Sequence, residues 1–147
     1  MMKKLHQQNL IIIWCSVVAL SFVSVFGYGM TAMALKGSMI VIVSGIISTI
    51  GYFLPISDSR KALILALPPA IGTLFYSWVS GGNSIPYIAN YVLLAMTATY
   101  FIEKVIISFA VPFTIISVIF GIVSPQTIAG IEYTVAGVVS RILLFAI

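Results

Sequence analysis

Apolar residues run along this chain in six long blocks, 10–34, 38–56, 62–80, 87–102, 105–123 and 130–147, divided by short polar breaks. The breaks read "LKG" at 35–37, "SDSRK" at 57–61, "GGNSIP" at 81–86, "EK" at 103–104 and "SPQTIAG" at 124–130. A membrane-spanning helix needs about 20 predominantly apolar residues. Each block approaches that length, the fourth being the shortest. The last begins between Gln126 and Tyr133. The pattern predicts an all-α fold, a polytopic membrane bundle of about six transmembrane helices forming one domain over 1–147. The first block is too long for a secretory signal, whose apolar region is about 7–15 residues. It is expected to be retained as a helix.

Composition agrees with this pattern. Hydrophobic residues make up 61% of the chain and charged residues 7%, against roughly 25% charged in soluble domains. So few polar side chains could not cover a water-soluble surface. Charge then orients the bundle, because short cytoplasmic loops carry excess Lys and Arg. Lys3, Lys4, Arg60, Lys61 and Lys104 fall on one face and Lys36 on the other. The N-terminus is therefore predicted to be cytoplasmic, and six crossings return the C-terminus to the same side. The net charge of +4 follows from this topology. No basic run interleaved with aromatics suggests nucleic-acid binding.

Candidate chemistry is sparse. Cys15 is the one cysteine and His6 the one histidine, which excludes an intrachain disulfide and a histidine-based metal cluster. Paired carboxylates on one helix face, a phosphate-binding loop and a nucleophile elbow are all missing. No catalytic residue, cofactor or metal is expected, and the chain is not read as an enzyme.

Arg141 is the one charge well inside a predicted span, and intramembrane charges are functional candidates. The favoured reading is that its stem snorkels to the cytoplasmic headgroups. Glu132 lies nine residues away on the opposite helix face and is not expected to pair with it. Asn90 sits in the short fourth block with Tyr87, Tyr91, Thr97 and Tyr100 nearby; such groups either bond across helices or line a ligand pocket. Pro68, Pro69 and Pro112 fall inside spans, where each removes a backbone donor and tends to kink the helix. Ser44 with Ser48, and Gly45 with Thr49, have the four-residue spacing that suits close helix packing. Arg141, Asn90, Tyr91 and Pro112 are the candidate signalling or ligand-contacting residues.

The sequence stops six apolar residues after Arg141, without the polar anchor that usually follows a membrane helix. A piece of a longer chain is expected, the remainder lying in the cytoplasm. Three functional classes stay open: a membrane-embedded input module of a signalling protein, a small transporter or transporter subunit, and a membrane assembly protein.

Three segments carry a family resemblance. They are "MKKLHQQNLIIIW" at 2–14, "NYVLLAMTATYFIEKVIISFAVPFTIISVIFGIVSPQTIAG" at 90–130 and "VVSRILLFAI" at 138–147. The chain resembles the six-helix N-terminal membrane region of clostridial-type methyl-accepting chemotaxis proteins. The resemblance implies a sensor domain in the bacterial cell membrane. It also implies a homodimer and, through a helical region absent from this chain, coupling to a cytoplasmic adaptor and a histidine kinase.

Overall fold

The computed structural model describes residues 2–82, 85–100 and 102–144. Its elements are α1 (Met2–Tyr28), α2 (Ala32–Phe53), α3 (Asp58–Val79), α4 (Ile85–Ala98), α5 (Glu103–Val123), the single turn α6 (Gln126–Ala129) and α7 (Val135–Leu143). No strand occurs among the described residues. The protein is a membrane helix bundle: α1, α2, α3 and α5 are each long and apolar enough to cross a membrane.

Local chemistry sets the boundaries, and several differ from those the apolar blocks predict. The first helix begins at Met2, so the polar "KKLHQQN" stretch is helical, and it stops at Tyr28 instead of running to residue 34. Gly29 takes a left-handed φ of 68°, a conformation that costs glycine little and ends a helix. Thr31 then caps α2, its hydroxyl accepting from the Ala34 amide at 3.2 Å. Lys36 consequently lies within α2 and not in a loop. Leu54, held extended by the following Pro55, closes α2. The predicted fifth helix starts two residues early and ends where expected. The predicted sixth helix is replaced by α6 and α7, with a break at Gly130 (φ 94°) and a fresh cap at Thr134. Positions 145–147 of that prediction lie outside the described residues.

The helices run back and forth between two ends. His6 of α1, Asp58 of α3 and Tyr100 just after α4 meet at one end, which also holds Lys3, Lys4, Arg60, Lys61 and Lys104. At the opposite end the Ser77 hydroxyl donates to the Thr127 carbonyl at 2.5 Å, and Gln126 of α6 covers Gly82. Though α4 has only 14 residues, it therefore runs from one end to the other. The described part of α7 rests on the last turns of α5, where Val138 and Ile142 meet Gly121. A sixth crossing is not seen among the described residues.

Helix α3 is the hub. In its most apolar stretch 56% of residues are buried, against 17% in α1 and 22% in α5. Small residues let α2 approach it closely, in antiparallel order. Gly37 faces Tyr76, Ser44 faces Gly72, Ser48 donates to the Leu65 carbonyl at 3.0 Å, and Gly51 faces Ile64. The Ser44–Ser48 stripe thus packs on α3. The Gly45–Thr49 stripe serves α1 instead: Gly45 lies under Trp14 and Val17, and the Trp14 indole N–H donates to Thr49 Oγ1 at 2.9 Å.

Pro68 and Pro69 do not break α3. Proline at 69 removes the amide that would bond the Leu65 carbonyl four residues back, and that carbonyl is the one Ser48 occupies. A hydroxyl from the neighbouring helix replaces the missing helical donor.

Candidate functional site

Arg141 stands in the last turn of α7. Its Nη1 donates to the Ile128 carbonyl at 2.7 Å, and its own carbonyl accepts from the Tyr91 hydroxyl at 3.3 Å. Ile128 is fully buried in α6, so the guanidinium places positive charge at the carbonyl end of that turn, where charge and dipole agree. Side chain and backbone of one residue thereby clasp α7 to α6 and α4. Snorkelling is not what the side chain does, because it turns toward the end opposite the basic cluster. Glu132 is exposed in the break between α6 and α7, so the two residues do not share the helix on which the opposite-face expectation rested, and the guanidinium hydrogen-bonds to backbone.

The other candidates divide. Tyr91 joins Arg141 directly. Asn90, fully buried, faces the other way: its Oδ1 accepts from Thr73 Oγ1 of α3 at 2.9 Å, and its Nδ2 donates to the Tyr87 carbonyl at 3.1 Å. Of its two expected uses, the helix-to-helix bond is the one observed. Nearby, between α1, α2, α3 and α4, the interior closes around a void of about 20 Å³ lined by Ser44, Thr73 and Leu93, enough for one water. Pro112 lies mid-helix between the buried rings of Phe109 and Phe113. The helix continues through it, and it does not meet Arg141.

Beside the clasp is a lateral apolar cleft of about 570 Å³ between α5 and α7. Val118, Gly121 and Ile122 form one wall, and Val138, Val139 and Ile142 form the other. Helix α7 is thus held by polar bonds on one flank and lies against a loosely filled seam on the other.

A second constellation escaped the sequence reading. His6 is 2% exposed. Its Nδ1 lies 2.9 Å from the Tyr100 hydroxyl and its Nε2 lies 3.1 Å from Asp58 Oδ1. Asn9 also hydrogen-bonds Tyr100. One proton arrangement satisfies the chain of groups: Asn9 donates to the Tyr100 oxygen, Tyr100 donates to Nδ1, and Nε2–H donates to the Asp58 carboxylate. Burial raises the Tyr100 phenol above its ordinary range, which keeps it a donor. The network ties together the starts of α1 and α3 and the α4–α5 turn. Its signal in the sequence is a helical stripe: His6, Asn9, Ile13, Val17 and Ser24 are all buried on α1 at spacings of three, four, four and seven. The stripe begins before the apolar block does.

No family model, no curated protein and no solved structure matches the chain.

Proposed function

We propose that the chain is a membrane-embedded sensor domain of a bacterial signal-transduction receptor, in the manner of a methyl-accepting chemotaxis protein. In this reading the N-terminus and the basic end face the cytoplasm. The α6–α7 unit is the moving part, and its motion is what a cytoplasmic output region would read. That region would form the homodimer and engage the adaptor and histidine kinase.

The observation that carries the reading is the Arg141 clasp. It joins three elements through two hydrogen bonds, while the opposite flank of α7 borders an apolar cleft. In this reading the segment moves between two packings, with the clasp closed or open. A stimulus that binds one packing better biases the pair by its differential affinity and by nothing else.

The test has two stages. Intact mass of the native protein, purified through an N-terminal tag, is expected to show a long continuation beyond Ile147, and the reading frame there is expected to carry heptad periodicity. With that protein, Arg141→Ala is expected to change coupled kinase activity several-fold, because charge-assisted hydrogen bonds contribute about 1.5–3 kcal/mol. Kinase output identical in wild type and Arg141→Ala would remove the clasp from the mechanism. A native chain ending at Ile147 would overturn the receptor reading in favour of a small transporter subunit or an assembly protein.

A further inference from the structure

We propose that the groove between the first turns of α3 and α5 binds a phosphate-bearing ligand, with the headgroup of an anionic lipid as the form that best fits its position. The inference rests on the fold and is independent of the sensor reading.

The groove encloses about 510 Å³ at the basic end and is lined by Ser57, Ser59, Arg60 and Leu63 from α3 and its cap, and by Lys104, Val105 and Ser108 from α5. Two cations and three hydroxyls, drawn from both helices, therefore line one groove. Neither cation is neutralised there. Among the described residues the recorded ion pair is His6 with Asp58, so the nearest carboxylate on α3 is turned to α1. Glu103 is exposed and does not line the groove. Lys61 does not compete for the same ligand, since its Nζ lies 5.8 Å over the Tyr52 ring.

The hydroxyls are equally uncommitted. Ser57 is the N-cap of α3 yet makes no side-chain capping bond, and Ile102, at the same position on α5, has no polar side chain to offer. Serine at an N-cap ordinarily accepts from the amides of the first turn. Here the Ser57 hydroxyl makes no such bond, and the positive ends of two helices of 22 and 21 residues add to the charge of the side chains. Helix ends alone would not define a ligand. The pair of unneutralised cations does, because a guanidinium fork and an ammonium match the separate oxygens of one phosphate.

Position selects the source. α3 and α5 are both membrane-crossing by length and composition, so their charged first turns lie at headgroup level. Leu63, half-buried beside the groove, adds an apolar edge next to the charged first turns. Ser108 lies one helical turn deeper than Lys104.

Native mass spectrometry of the full chain reads the site directly, with phosphatidic acid and phosphatidylcholine offered in equal amounts. Wild type is expected to retain phosphatidic acid preferentially. Arg60→Gln combined with Lys104→Gln is expected to weaken retention about tenfold or more, as loss of charge-assisted hydrogen bonds implies. Arg60→Lys, which keeps the charge and loses the fork, is expected to weaken it by less. Lys3→Gln with Lys4→Gln, at the same end but outside the groove, is expected to leave it unchanged. A second arm adds inorganic phosphate. Displacement of the lipid, with a raised melting temperature in wild type but not in the double variant, assigns the groove to free phosphate. Retention of the lipid in phosphate assigns it to the headgroup. Equal retention by wild type and the Arg60/Lys104 variant, or equal loss in the Lys3/Lys4 variant, overturns the proposal.

Discussion

Removing one oxygen atom tests the buried network at the basic end. Tyr100→Phe keeps the ring, which packs among Ala62, Val105, Leu5 and Ile102, and deletes only the hydroxyl. His6 Nδ1 and the Asn9 amide then lose their partner together, and both residues are at least 97% buried, so water does not readily take the vacated place. A buried polar group left unsatisfied costs about 1–3 kcal/mol, and that is the expected loss of stability. Asp58→Asn perturbs the other nitrogen of the same imidazole, but the Asp58 side chain is 56% exposed. Solvent can replace what it gives, and its cost should stay within the ~1 kcal/mol typical of exposed pairs. Denaturant unfolding of the purified protein in micelles measures both. A cycle with His6→Leu adds a control: Tyr100→Phe should cost at least ~0.5 kcal/mol less once the imidazole is gone, since groups in one network couple by about 0.5–3 kcal/mol. If Asp58→Asn proved costlier than Tyr100→Phe, or if the cycle closed additively, the assignment of the network's energy to its buried half would be refuted.

Two further predictions concern the hub helix. Gly51→Ala places a methyl group against Ile64, and overpacking of this kind costs about 1–3 kcal/mol; an unfolding midpoint equal to wild type would show that α2 and α3 can separate there without penalty. Thr73→Val, nearly isosteric, strips the Asn90 Oδ1 of its donor and should destabilise more than Asn90→Leu, after which the Thr73 hydroxyl can turn its one proton to the Ala70 carbonyl 2.8 Å away. The reverse order in the same unfolding assay would contradict this.

What the sequence made legible was the solvent of the fold. Apolar block length identified α1, α2, α3 and α5 as membrane-crossing and placed the C-terminal end of α5 correctly, because burial in lipid depends on little besides side-chain polarity. Hydropathy does not see where the backbone turns. Lys36 interrupts an apolar run and yet is helical, while the turn that matters lies at Gly29 and Thr31, inside an uninterrupted block. The "GYGMT" stretch at 27–31 does contain a left-handed glycine and a capping threonine, so the turn could have been found from local chemistry instead of polarity. The "SPQTIAG" break was correctly located, but its isolated helical turn depends on tertiary partners: Ser77, reaching in from α3, and Arg141, reaching back from α7. Tyr91 and Arg141 were both singled out from the sequence, although their meeting across 50 positions is a product of the fold. His6 was passed over because one histidine makes no metal site. Its burial is a property of the α1 stripe on which it sits.

The bond between Ser48 and the carbonyl vacated by Pro69 has a consequence for how this sequence can drift. While proline occupies position 69, alanine at 48 strands a carbonyl in a nonpolar interior, and lineages that try it are at a disadvantage. Once position 69 becomes alanine, the helix supplies its own amide, and serine at 48 is free to wander. The two substitutions are thus tolerated in one order and penalised in the other. Positions 48 and 69, on different helices, are thereby coupled through a single carbonyl.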